Sequence, residues 1–203
     1  MRLLVTLAIA LAFCATLSAC GSSSPQSPRA RIIAAALAQK SVHWTAEDYE
    51  LVDHDIQISA DVNADSGTAR VSWNFGGDGG GEYRLVRVNG TFYVNGDSET
   101  LDWLFNLTNT QATRYAGRWI STPNRVGLTF GLGEGLTLSA IVREYASPAR
   151  RRSPPATGEP LPSKFDQILS QTEEISGSFS KWNEPLNIRA PANSTPIATV
   201  RAS

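Results

Sequence analysis

Two neighbouring segments of the chain alternate apolar and polar residues with the period of two that is typical of half-buried strands. The first runs from Val52 to Val62, and the second runs from Ala69 to Phe75. Turn-forming residues at positions 63–67 separate them, so the pattern predicts an antiparallel hairpin with one buried face. The core residues expected on that face are Ile56, Ile58, Val71, Trp73 and Phe75.

The dipeptide Asn89-Gly90 predicts a second hairpin, because this pair tolerates the positive φ angles of a two-residue turn. The hairpin would span residues 82–95, and a two-residue turn at this point pairs Leu85 with Val94. Since side chains alternate between the two faces of a strand, this register also decides which residues share a face.

Both faces of the second hairpin are apolar. One face carries Tyr83, Leu85, Phe92 and Val94, and the other carries Val86, Val88 and Tyr93. A sheet with one face in water does not need two apolar faces. We therefore expect helices, or an apolar ligand cavity, against the first face. Its members are the candidate ligand-binding residues Tyr83, Leu85, Phe92 and Val94.

The remaining patterns predict a mixture of helices and strands. Helices are expected at residues 30–40, from Glu99 onward behind a Ser98 cap, at residues 112–120 ahead of a short Trp119-Ile120 strand, and at residues 138–145. A third hairpin is expected at residues 165–170 and 175–182, a last strand at residues 186–190, and an exposed proline-rich loop at residues 147–162. This order predicts an α+β fold.

The first twenty residues resemble the precursor of a bacterial lipoprotein. A short positive start is followed by an apolar run from Leu3 to Leu17, which is the length of a signal-peptide core and too short to span a bilayer. The run ends in Leu-Ser-Ala-Cys at positions 17–20, which is similar to a lipobox. The resemblance implies cleavage before Cys20 and attachment of lipid to its thiol.

These features divide the chain into four parts. Residues 1–19 are the predicted signal peptide, and residues 20–29 are a flexible tether rich in Gly, Ser and Pro. Residues 30–190 are expected to form a single domain, and residues 191–203 are expected to form a loose tail. Cys14 would leave with the signal peptide and Cys20 would carry lipid, so the core rather than disulfides must stabilise the domain.

Composition and motifs argue against catalysis and nucleic-acid binding. The formal net charge is −1 at pH 7, whereas nucleic-acid-binding domains are usually strongly basic. Asp53 and Asp55 point away from His54 in a strand, so the three residues cannot converge on one metal ion. The glycine-rich stretches lack the lysine of a phosphate loop, and no G-x-S-x-G elbow occurs. We therefore predict a protein that is not an enzyme and has no metal or cofactor.

Four stretches of sequence resemble the actinobacterial LppX/LprG lipoprotein family. They are residues 83–94, 115–120, 157–162 and 179–191, in this order. The resemblance implies a LolA-like half-barrel, in which a curved antiparallel sheet packs helices on one face and encloses an apolar cavity for lipid chains. The positions to which the resemblance assigns a role are Cys20 and the apolar strand face, and it implies no catalytic residue.

The sequence therefore predicts a lipid-anchored cell-envelope lipoprotein that binds or shuttles a hydrophobic acylated lipid or glycolipid. Its expected location is the extracytoplasmic face of the cell membrane. The expected partners are that membrane, through the lipid anchor, and the lipid ligand. The alternative is a structural or protein-interaction lipoprotein, not an enzyme, whose core is filled by its own side chains.

Overall fold

A computed structural model describes residues 27–50, 54–74, 79–123, 135–145, 151–152, 161–168 and 173–203. The predicted signal peptide, Cys20, Asp53 and Phe75 lie outside these residues. None of the helices in the described segments is both long and apolar enough to cross a bilayer.

The described residues form one open β-sheet and five short helices. The strands are β1 Ser41–Glu50, β2 His54–Asn63, β3 Gly67–Asn74, β4 Gly80–Val88, β5 Thr91–Gly96, β6 Trp119–Thr122, β7 Arg151–Arg152, β8 Lys164–Ile168, β9 Glu173–Ser180 and β10 Ser194–Pro196. The helices are α1 Pro28–Leu37, α2 Ser98–Phe105, α3 Asn109–Tyr115, α4 Leu138–Tyr145 and α5 Ile197–Arg201.

The strand order in the sheet is β10-β6-β5-β4-β3-β2-β1-β9-β8-β7. Every neighbouring pair is antiparallel except β10 and β6, which are parallel. The sheet is curved and open, with helices packed on one face. The predicted α+β half-barrel class is therefore confirmed.

The first two predicted hairpins are confirmed, and the second has the predicted register. Strands β2 and β3 pair Ile58 with Val71, and strands β4 and β5 pair Leu85 with Val94. The turn between β4 and β5 has φ of 51° at Asn89 and 77° at the following glycine. These positive values are those of the two-residue turn expected from the sequence.

One face of the sheet, called here the inner face, is apolar from β9 to β6 and carries the core. Its buried side chains include Val42, Trp44, Ala46, Ile56, Ile58, Val62, Val71, Trp73, Tyr83, Leu85, Phe92, Val94, Ile120 and Phe179. All four predicted core residues that the structure describes, Ile56, Ile58, Val71 and Trp73, are buried there. The opposite, outer face carries mainly polar and charged residues.

The helices pack against the sheet and against one another. Helix α2 contacts β4 and β5, α5 contacts β6 and β10, and α1 contacts α4. In α1, Ala36 is fully buried, so the predicted amphipathic helix packs on the domain. Helix α3 begins with a capping box, in which Thr108 and Gln111 each bond to the other's backbone.

The structure adds a strand that the sequence patterns did not predict. Strand β1 lies between β2 and β9, and its Val42, Trp44 and Ala46 side chains are buried on the inner face. Other details also differ from the prediction. Asp97 rather than Ser98 caps α2, and α3 ends at Tyr115 instead of continuing to residue 120. Arg151 and Arg152 form the short strand β7 instead of a loop.

The structure corrects two predictions for the end of the chain. Residues 186–190 are not in a strand, because the flanking prolines 185 and 191 have no backbone N–H to donate to a ladder. The region after Pro191 is not a loose tail, since β10 pairs with β6 and α5 buries Val200 completely.

Candidate functional site

The structure brings the four candidate ligand-binding residues together on the inner face. Tyr83 and Leu85 lie on β4, and Phe92 and Val94 lie on β5. Their exposed fractions are 1%, 0%, 4% and 0%, and all four belong to one hydrophobic core. Helix α2 covers this part of the sheet with Leu101, which is also fully buried.

Two hydroxyl groups interrupt this apolar environment. The hydroxyl oxygens of Tyr83 and Thr100 are buried and have no hydrogen-bond partner in the described part of the protein. Both side chains flank Gly96: a methyl group there would lie 2.8 Å from Cγ2 of Thr100 and 3.3 Å from Cβ of Tyr83. A buried hydroxyl without a hydrogen-bond partner destabilises the folded state by about 1–3 kcal/mol, so such groups are rare in native cores.

Burial also determines what the Tyr83 hydroxyl can do chemically. Removal from water disfavours the charged phenolate, and this desolvation raises the pKa of Tyr83 well above its ordinary value. Tyr83 therefore stays neutral at physiological pH. A neutral phenol donates one hydrogen bond, so the group suits an oxygen acceptor such as an ester or amide carbonyl.

Aromatic side chains connect Tyr83 to the protein surface. The ring centroids of Tyr83 and Trp73 are 5.8 Å apart, and those of Trp73 and Trp103 are 6.0 Å apart. Trp73 is buried on β3, whereas Trp103 on α2 is 50% exposed. The three rings thus form a row of aromatic contacts, called here the aromatic path, from the exposed Trp103 to the buried Tyr83.

Trp103 and Thr100 are site residues that the sequence patterns missed. In the sequence, Leu101, Leu104 and Phe105 lie on one side of this helix, and Trp103 lies on the other. A tryptophan on the polar face of an amphipathic helix was the available signal. Thr100 gave no signal, because its unpartnered hydroxyl follows from packing against β5.

The other predicted chemical features lie elsewhere. The side chain of His54 lies outside the described residues, although its backbone belongs to β2. His43 is on β1, and its Nδ1 is 2.8 Å from Oδ1 of Asp61 on the outer face. Within the segments that the structure covers, no group of three or more His, Cys, Asp or Glu residues is placed to hold a metal ion.

Comparisons with known proteins show a similarity of fold but no match by sequence. No protein-family model matches the chain, and no curated protein matches it. The chain is similar in structure to LprF from Mycobacterium bovis, known from a crystal structure, with 12% sequence identity and a TM-score of 0.46. The similarity covers 82% of this chain and 96% of that one.

Proposed function

We propose that this chain is a lipid-anchored envelope lipoprotein of the LppX/LprG type, which holds an acylated lipid against the inner face of its sheet. Cys20 carries the anchor, and the domain sits on the extracytoplasmic face of the membrane. Tyr83, Leu85, Phe92 and Val94 form the apolar wall of the binding site. The observation that carries the proposal is the buried, unpartnered hydroxyl of Tyr83.

An unpartnered hydroxyl in the core destabilises the folded state, and a phenylalanine at the position of Tyr83 would avoid this. Phenylalanine would fill nearly the same space beside Trp73 without burying a polar atom. A ligand oxygen that accepts a hydrogen bond from Tyr83 would remove the cost, and the unpartnered hydroxyl of Thr100, whose side chain is also next to Gly96, offers a second donor.

These requirements define the class of ligand. The wall around Tyr83 is made of apolar side chains, so most of the ligand must be hydrocarbon. To pair the two hydroxyls, the ligand must also carry a small number of hydrogen-bond acceptor oxygens. Acyl chains joined through ester bonds meet both conditions, because an ester carbonyl accepts hydrogen bonds and carries no charge that burial would penalise.

The aromatic path suggests where such a lipid enters. Trp103 exposes half of its surface beside Trp73, which in turn contacts Tyr83. Indole rings favour the boundary between hydrocarbon and water. The acyl chain would therefore enter beside the exposed Trp103, with Trp73 and Tyr83 next along the aromatic path.

A second candidate is a structural or protein-interaction lipoprotein whose core is already filled. Its supporting observation is the direct pairing of Leu85 with Val94, both fully buried beneath Leu101. In that case the lipid anchor would only fix the domain at the membrane. Binding measurements distinguish the two candidates.

The test compares binding of a radiolabelled diacylglycerol by the delipidated wild type, Tyr83→Phe and Tyr93→Phe. Tyr93 is the matched control, because it lies on the outer face of β5 and loses the same hydroxyl. Loss of one neutral hydrogen bond should weaken binding by about two- to tenfold in Tyr83→Phe only. The same variant should unfold at an equal or higher temperature without lipid, since it no longer buries an unpartnered group.

Two results would contradict the proposal at different points. Equal binding by Tyr83→Phe and wild type would show that the hydroxyl does not contact the ligand. Absence of saturable diacylglycerol binding by the folded wild type would favour the filled-core candidate.

A further inference from the structure

The outer face of the sheet contains a groove that the proposed lipid site does not use. It has a volume of about 360 Å³ and runs across β2, β3 and β4 to β6. Its lining includes Ser59, Thr68, Arg70, Arg84, Val86 and Trp119. We call it the outer groove. Small-molecule sites usually enclose about 300–1,000 Å³, so it is large enough for a ligand of two or three ring units.

The apolar part of the outer groove comes from Trp119 and Val86. Successive side chains of β6 point to opposite faces of the sheet. Because Ile120 is fully buried on the inner face, its neighbour Trp119 points outward. Trp119 does not belong to the hydrophobic core that the described residues form. Instead, its indole lines the same groove as Val86, although strand β5 lies between their strands.

The polar part of the outer groove is organised around Glu82. Its Oε1 lies 3.2 Å from Nε of Arg70 and 4.0 Å from Nε of Arg84. Glu82 therefore forms a close ion pair with Arg70 and a longer one with Arg84, and each guanidinium has terminal amino groups that can donate hydrogen bonds.

Acceptors complete the lining on the side of β2. The Asp61 carboxylate borders the outer groove while its Oδ1 contacts His43 at 2.8 Å, so its position is held by a neighbouring strand. Ser59 and Thr68 add hydroxyl groups that donate and accept. The charges of Arg70 and Arg84 are balanced by those of Glu82 and Asp61.

We propose that the outer groove binds an oligosaccharide. A sugar ring has one face of C–H groups, which can stack on the Trp119 indole, and a rim of hydroxyl groups, which need both donors and acceptors. Arginine, carboxylate and hydroxyl side chains supply both kinds around one aromatic ring. A lipid chain would leave these polar groups unpaired, and a bare anion would meet a lining with balanced charge.

The proposal is tested by NMR on the folded ¹⁵N-labelled chain. Maltotriose, cellotriose, chitotriose and mannotriose are titrated separately, and the indole N–H resonance of Trp119, assigned with Trp119→Phe, is followed. At least one trisaccharide should shift this resonance in a saturable manner. Trp119→Ala should weaken that binding by about tenfold or more, followed through backbone resonances of β3 and β4, because the stacking surface is lost.

Two further variants separate recognition from folding. Arg84→Gln should also weaken binding, since the amide keeps part of the side chain but lacks the guanidinium. Gln57→Ala should bind like the wild type, because Gln57 is exposed on the same face outside the groove. The proposal is overturned if no trisaccharide shifts the Trp119 resonance, if Trp119→Ala binds as well as wild type, or if inorganic phosphate alone occupies the groove.

Discussion

The indole ring of Trp73 lies over the backbone of Gly81, the residue directly opposite it in strand β4. A methyl group on Gly81 would come within 2.5 Å of Cζ2 and 2.8 Å of Cη2 of Trp73. Because Gly81 has no side chain, the Trp73 ring can occupy the space above it. In this position the ring also contacts Tyr83 and Trp103.

Gly81→Ala should destabilise the domain, because the added methyl group forces Trp73 or the strand to move. Overpacking of this kind typically costs about 1–3 kcal/mol in free energy of unfolding. Urea denaturation measures the change. The control is the same substitution in a Trp73→Leu background, where the clash is removed and Gly81→Ala should cost much less. Equal costs in both backgrounds would show that the two residues are not coupled.

Trp73→Ala should lower the free energy of unfolding by about 3–5 kcal/mol, the usual range for removing a buried aromatic ring. Trp73 is 8% exposed and packs among core residues on the inner face. Thermal unfolding followed by far-UV circular dichroism measures this loss. An unchanged melting temperature would show that the ring does not contribute to the core.

The C-terminal segment should contribute to stability. Val200 is fully buried, Arg201 Nη2 donates a 3.0 Å hydrogen bond to the Phe105 carbonyl, and Gln111 Nε2 donates to the Ser203 carbonyl at 3.1 Å. Val200→Ala should therefore cost on the order of 2 kcal/mol. The exposed neighbour Thr199 provides the control, since Thr199→Ala should be nearly neutral. Similar melting temperatures for all three proteins would show that this segment does not pack on the domain.

The β4–β5 hairpin was predictable in full because its determinants are local. Asn89 and Gly90 favour one turn geometry, and a two-residue turn allows a single register, which pairs Leu85 with Val94. The buried face then follows from the alternation of side chains. The same local logic predicted the pairing of β2 with β3.

The strands that escaped prediction lack a clear local pattern. Strand β1 pairs with the neighbouring β2, but its apolar alternation stops at the small residue Ala46, before Glu47 and Asp48, and its other partner, β9, is far away in sequence. Strand β10 has three residues and includes Pro196. Because it pairs in parallel with β6, no local turn sequence predicts it.

The candidate site was only partly predictable for a related reason. The inner position of Tyr83, Leu85, Phe92 and Val94 followed from the hairpin register. The unpartnered hydroxyls did not, because a hydrogen-bond inventory requires the packing of α2 on β5. The outer groove likewise depends on β6 lying two strands away from β4.

Lipid attachment at Cys20 is predicted from the lipobox resemblance. Cys20→Ser should abolish incorporation of a radiolabelled fatty acid, because serine has no thiol to alkylate, and the domain should keep its circular dichroism spectrum. A matched Cys14→Ser variant should be labelled normally, since Cys14 belongs to the predicted signal peptide. Equal labelling of Cys20→Ser and wild type would contradict the assignment.

The most direct test of lipid binding is the mass spectrum of the purified, folded Cys20→Ser chain under native conditions. The domain should be expressed in its own envelope, with Cys20→Ser to remove covalent lipid from the count. We predict a complex with about one noncovalent acylated lipid per chain, which organic extraction releases as an ester-linked species. A homogeneous spectrum of unliganded chain, with no acylated lipid in the extract, would contradict the central claim.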